Sequence, residues 1–317
     1  MPSLQRALLR FGCIALALIC FAPGLMAANK VVYNAIDKAL KNSATNDKPV
    51  FAFVDSESSM MNSAPSRFQG FVKALQTNDE LFKAVSTFEL SQIDLWDPVS
   101  ETQLNTALQM KYGDIGTLLA FIPGGTKAFW KGGVTYADTA TVDEIAKEMT
   151  THLKTASDAV EKWKTGRDEI LKKYEAKAAN DAAFQKNAEG QLELARHFGA
   201  AYAPTKAKEC FERAIKALKA KDAKDPQIEG LSIEQAQVAF DSTDYTLAMN
   251  LYQTFAKTFK ESERVGEALL QAAQCQIELG KPADAKTTLK GIIANKKLDE
   301  GVREDAQMKL DELNEKR

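Results

Sequence analysis

Five positions in the second half of the chain recur at a nearly constant offset. Ala195, Phe198, Ala207, Phe211 and Ala214 are followed 41 residues later by Ala236, Ala239, Ala248, Tyr252 and Phe255. A further 37 residues bring Ala273, Gln276, Ala285, Leu289 and Ile292. The turn signals move with them: Ala203-Pro204-Thr205, Thr243-Asp244-Tyr245 and Gly280-Lys281-Pro282. Each unit therefore reads as helix, tight turn, helix. Small alanines sit where two helices cross, and larger residues fill the space beside them. One such pair cannot bury its own apolar face, so the pairs must stack. Residues 188–317 are predicted to form an all-α solenoid. Gly301 to Asn314, with Val302, Ala306, Leu310 and Leu313 at helical spacing, would cap it.

On Phe198, Ala207, Phe211 and Ala214 in the first unit, Ala248 and Tyr252 in the second and Ala285 in the third, the stretch resembles the tetratricopeptide repeat (TPR). It departs in spacing, which is about 34 in that family, and at Gln276, where an apolar residue is usual. The extra residues fall around Lys219 to Gly230 and Thr258 to Arg264, between units. The resemblance implies that the first helices of the units line a concave groove for extended or helical peptides. On this register the groove positions are Arg196, Gly199, Ile233, Gln237, Phe240, Leu270, Gln274 and Ile277. Ile233 and Leu270 read equally well as residues that pack the next unit. The implied partners are other proteins or peptides.

The register also separates two cysteines. Cys210 falls in the second helix of the first unit and Cys275 in the first helix of the third. Solenoid units touch only their neighbours, so these sulfurs are expected to be free, buried thiols and not a disulfide.

The first half reads differently. Val31 to Leu40 has helical spacing, and Val50 to Val54 is a continuous apolar run, as in a strand covered on both faces. Ser66 to Leu75 and Glu80 to Val85 read as helices, and Thr87 to Leu95 as a second strand. Glu101 to Met110 reads as another helix. Thr117 to Ile122 and Lys127 to Lys131 flank Pro123-Gly124-Gly125, an antiparallel hairpin. Thr141 to Leu153 closes the unit as a helix, with Thr141 and Glu144 spaced as a capping box.

That element order resembles the thioredoxin fold. Lys48-Pro49 leads into the first strand, Ile93-Asp94 ends the second, Lys111-Tyr112-Gly113 precedes Thr117-Leu118-Leu119, and Gly132-Gly133 follows the hairpin. The resemblance implies an α/β thioredoxin-like domain over residues 28–153. In active members of that family a pair of cysteines opens the helix after the first strand, where one thiolate attacks. Here the two slots fall near Ser59 and Asn62, which cannot exchange disulfides. The family's proline before the later strand is also missing, since Ile115-Gly116 precedes Thr117. Ser59 and Asn62 are read as a degenerate redox site whose ordinary work is helix capping.

Ahead of this unit, Arg6 and Arg10 precede an uncharged run whose apolar heart is Phe11 to Ala22. Pro23-Gly24 breaks it, and Ala27 offers a small residue before a cut. Residues 1–27 have the layout of a signal peptide. The alternative is an uncleaved anchor, for which the run is barely long enough. A lipid attachment at Cys20 is disfavoured by the large Ile19 before it. Cleavage would remove both arginines and take the formal charge from -2 to -4. Residues 154–187 read as a charged helical connector with a thin stripe of Val160, Trp163, Ile170, Leu171 and Tyr174.

No zinc spacing, phosphate-binding loop, dinucleotide fingerprint or nucleophile elbow occurs, and no basic run suggests nucleic acid. The sequence thus predicts an exported, periplasmic or secreted protein of two domains without metal or small-molecule cofactor. Its expected work is non-catalytic protein binding, as a chaperone or in envelope assembly. The alternatives are a thiol-disulfide oxidoreductase relative and a structural scaffold of an envelope complex.

Overall fold

The structure, a computed structural model, describes residues 32–55, 67–94, 116–137 and 139–315. Its first part is a mixed sheet with helices on both faces. In chain order the elements are β1 (Asn34–Ala35), α1 (Ile36–Asn46), β2 (Val50–Asp55), α2 (Arg67–Thr77), α3 (Asp79–Val85), β3 (Glu89–Asp94), β4 (Thr117–Phe121), β5 (Trp130–Gly133) and α4 (Val142–Lys173). The strand order is β1-β3-β2-β4-β5. β1 and β2 run parallel to β3, while β4 is antiparallel to both β2 and β5.

β2 sits mid-sheet, and all six of its residues are buried. Its period-two alternation feeds two cores. Phe51 and Phe53 join Phe68, Phe71 and Leu75 of α2 and Ile145 and Met149 of α4. Val50, Ala52 and Val54 face the other way, onto Ile36 and Ala39 of α1. That is why the strand reads as an unbroken apolar run. The Asp55 carboxylate at its end accepts the Phe68 N–H at 3.2 Å, tying the strand to the start of α2.

Two sequence expectations need correction. The first helix was expected over Val31 to Leu40, but α1 starts at Ile36 after a two-residue strand. That strand exists only through its pairing with Ser91 and Gln92, a distant partner that no local pattern announces. The second correction concerns the end of the closing helix, expected at Leu153. The closing helix does not stop there; α4 runs on to Lys173 and is 32 residues long in all. At about 1.5 Å per residue it is roughly 48 Å long. No proline interrupts it, the chain turns left-handed only at Glu175, and Thr141 and Glu144 start it with the expected capping box. Its N-terminal half supplies Ile145 to Val160 to the sheet core, and Trp163, Ile170 and Leu171 enter the helical core. The connector is therefore shared by both parts. The helix expected over Glu101 to Met110 lies outside the described residues.

The second part is a stack of helix pairs: α5 (Ala188–Ala200) with α6 (Pro204–Lys221), α7 (Gln227–Asp241) with α8 (Tyr245–Thr258), α9 (Val265–Glu278) with α10 (Pro282–Ala294), and the capping α11 (Glu300–Glu315). The three intra-pair turns are copies of one motif. Tyr202, Thr243 and Gly280, the same position in each unit, adopt φ of 57°, 60° and 67°. The residue after each donates its N–H back to the Phe198, Ala239 and Gln276 carbonyls, at 3.0, 3.0 and 2.8 Å. This is the bond of a Schellman turn, and it uses carbonyls that the helix end would otherwise orphan. Gln276, polar where its equivalents are apolar, is buried but accepts the Thr288 hydroxyl at 2.9 Å.

The β4–β5 loop fastens the sheet to the stack. Ile122 is fully buried in the first helical core. The Thr126 N–H donates to the Tyr202 carbonyl at 2.8 Å, and its hydroxyl donates to the Ser242 carbonyl at 2.7 Å. One threonine thus bridges the turns of two successive units.

Candidate protein-binding surface

Arg196, Gln237 and Gln274 occupy the same position in α5, α7 and α9, the first helices of their units. At two junctions these first helices come close. A Cβ on Gly199 would lie 2.9 Å from Val238, and one on Gly266 would lie 2.7 Å from Val302 of α11. Glycine there sets the approach of α5 to α7 and of α9 to α11.

The polar groups on these helices are engaged with one another. Arg196 reaches across to Glu234 of the next unit with a bidentate pair, Nε–Oε1 at 2.7 Å and Nη2–Oε2 at 3.0 Å. The Glu234 hydrogen bonds push the Arg196 pKa further up. Gln237 donates to Asp241 at 2.8 Å and accepts the Tyr252 hydroxyl at 2.9 Å. Gln274 repeats the pattern: it donates to Glu278 at 2.7 Å and accepts Lys309 Nζ of α11 at 3.0 Å. Phe240 is half-buried and meets Tyr245 edge-on at 5.4 Å, and Ile277 is half-buried beside the same ridge. The arrangement presents amides and carboxylates, with Arg196 paired to Glu234 and Lys309 bonded to Gln274. It suits hydrogen bonding to peptide backbone and polar side chains.

Residues 267–295 match the family model described as tetratricopeptide repeat. That segment is α9, its turn and α10, the third helix pair. No curated protein and no solved structure matches the chain. The match falls on the unit with glycine in its left-handed turn position and with the 37-residue offset, the nearer of the two to the family's spacing of about 34.

Arg196, Gln237 and Gln274 hold one repeat position on successive first helices, and of the implied groove positions Ile233 and Leu270 take the packing alternative. Ile233 and Leu270 are buried in the cores between units. Their equivalence in the repeat explains this: both point at the junction, where apolar surface must be covered. Sequence reasoning missed Glu234, Asp241, Glu278 and Lys309. The two acids one turn beyond a glutamine could have been found from helical spacing. Glu234 and Lys309 act between units, and no spacing within a unit reveals them. Ser59 and Asn62 lie outside the described residues.

Cys210 and Cys275 are buried free thiols in separate cores. Burial pushes each pKa up to about 12, far from a reactive thiolate. Among the described residues no cluster of metal-ligating side chains occurs, and no helix is long and apolar enough to cross a membrane.

Proposed function

We propose that this chain is an exported, non-catalytic protein-binding protein in which a thioredoxin-like domain without its cysteine pair is carried on tetratricopeptide-like repeats. The observation that carries the reading is the row of Arg196, Gln237 and Gln274 on successive first helices of a stack whose third pair matches the repeat family. Repeats of this kind commonly mediate contacts between proteins, and a rigid ridge of amides offers donors and acceptors to an extended chain.

The thioredoxin-like reading draws its support from the strand order β1-β3-β2-β4-β5 with β4 and β5 antiparallel. Residues 56–66, which hold Ser59 and Asn62, contain no cysteine. The remaining thiols of the mature chain are buried and their pKa values are raised, which supports a role without redox turnover. Export rests on the leader-like residues 1–27, and a periplasmic or secreted location follows from it.

In-cell crosslinking of the full chain followed by mass spectrometry tests the binding role. Many substoichiometric partners, lost in an Arg196→Ala, Gln237→Ala, Gln274→Ala triple variant that still folds, are expected of a chaperone. A single stoichiometric partner would instead make the chain a scaffold, and an unchanged partner set would remove the ridge from the account. N-terminal sequencing of the mature protein should begin at Ala28. Insulin reduction that persists after Cys210→Ser and Cys275→Ser would overturn the non-catalytic reading.

A further inference from the structure

Between the end of α1, the C-terminal half of α4 and the first helix pair lies an open cleft of about 440 Å³. Leu171 and Phe198 give it an apolar floor, and its walls carry four cations and three acids. Among the described residues lining it, Asp47 alone comes from the sheet unit ahead of α4. Asp47 stands between two of the cations: Oδ1 lies 3.0 Å from Lys206 Nζ, and Oδ2 lies 3.7 Å from Arg167 Nη1. Both cations are steadied by rings. Arg167 lies over Trp163 at 5.6 Å, and Lys206 Nζ lies over Phe198 at 5.8 Å.

The site already holds carboxylates of its own: Arg167 Nε also pairs with Asp168 Oδ1 at 3.1 Å, and Asp47 is the one supplied by the other half of the molecule. That carboxylate is a weak occupant. The Asp47 side chain is 58% exposed, against 25% for Lys206 and 24% for Arg167. Ion pairs with so exposed a partner contribute little to stability. With Asp47 turned out to water, the walls carry four cations against two acids, over an apolar floor.

We infer that the cleft binds a carboxylate on a short apolar stem. The ligand group replaces Asp47 between Arg167 and Lys206, and its stem lies over Phe198 and Leu171. Two sources carry that chemistry: a free short-chain organic acid, and an acidic side chain of a peptide. Occupation also releases the Asp47 link between the sheet unit and the stack. The inference does not depend on the ridge of Arg196, Gln237 and Gln274, which uses other residues.

Titration of the full chain, followed by amide NMR shifts, tests it. The probes are hexanoate, hexanol as an uncharged control, and an end-blocked peptide with one glutamate between leucines. Saturable shifts around Asp47, Phe198 and Lys206 with hexanoate or the peptide, and none with hexanol, are expected. Tighter hexanoate binding identifies a free acid as the source, and tighter peptide binding an acidic segment. Asp47→Asn removes the internal competitor; asparagine tolerates the left-handed backbone there, φ 59°. It should tighten binding about threefold. Arg167→Met and Lys206→Met keep the apolar stems and should each weaken binding about tenfold. Absence of saturable shifts with both acids, or an affinity unmoved by Asp47→Asn, overturns the assignment. Either failure leaves the crosslinking test of the ridge unaffected.

Discussion

Phe51 in β2 lies beside Leu90 on one strand and Ala120 on another, both far along the chain. In the stack, by contrast, the dense contacts run from each helix to the next: α5 to α6, α6 to α7, and on to α11. Both regions bury aromatic cores, so the difference lies in topology. Distant pairings must all form before any is rewarded, which favours all-or-none behaviour. Nearest-neighbour packing lets stability accumulate unit by unit, and lets the ends open separately. α4 and the Thr126 loop join a cooperative block to a graded one.

Phe53→Ala should break the comparison most severely if it is wrong. Phe53 is fully buried against Phe68 and Phe71, with ring centroids 5.6 and 5.9 Å away. Its loss should cost about 3–5 kcal/mol. Hydrogen exchange should then rise together in β2, β3 and β4, while α7 to α11 keep their protection.

Leu289→Ala, also at a fully buried site, should cost about 2–5 kcal/mol. Here faster exchange should stay within α9, α10 and α11. Exchange that spreads into the sheet would mean that the stack is as cooperative as the α/β unit.

Thr126→Val probes the joint. It deletes the hydroxyl bond to the Ser242 carbonyl and keeps the N–H bond to Tyr202. A loss of about 1 kcal/mol is expected, with the unfolding transitions of the two regions drawing apart in calorimetry.

Thr243→Gly sharpens the repeat itself. A β-branched residue at φ 60° is strained, and the third unit uses glycine at this position. Stabilisation by about 0.5–1 kcal/mol is expected, measured by denaturant midpoint.

The smallest effect is a pH dependence at the α4–α5 crossing. His197 stacks on Trp163 at 5.4 Å, and its Nε2 lies 3.0 Å from the Trp163 carbonyl. Burial lowers its pKa below the ordinary 6.5; the Arg167 charge adds to this, and the carbonyl contact opposes it. The unfolded chain therefore takes up the proton first as pH falls. Stability is full above the ordinary value and declines below it until the folded imidazole also protonates. The melting temperature should drop modestly between about pH 7.5 and pH 5, and His197→Gln should flatten that drop.

The repeat register was legible because it is written three times. Phe198, Ala239 and Gln276 could be aligned by offset alone, and their carbonyls proved to close the same turn. The capping box at Thr141 and Glu144 was legible because it is a four-residue event. β1 was not, because a two-residue strand has no periodicity and exists through Ser91 and Gln92. The end of the closing helix was misplaced for another reason. Ala156 and Val160, beyond Leu153, still face the sheet core, and the helix changes core only at Trp163 without any loss of helical propensity, so nothing local marks an end.

At the candidate surface the same division holds. Helical phase put Arg196, Gln237 and Gln274 in one row, since equal positions in equal helices face alike. Only the packing of units decided that Glu234 neutralises Arg196, that Lys309 bonds Gln274, and that Ile233 and Leu270 belong to the interior. The sequence by itself determined the repeat period, its turns and the helix pairs, which are set by interactions among near neighbours, and it marked the central strand by its apolar run. Tertiary structure alone decided the shared helix, the Thr126 clasp and the Asp47 cleft. Each joins residues far apart in the chain, and burial or charge selects such partners only once the two halves meet.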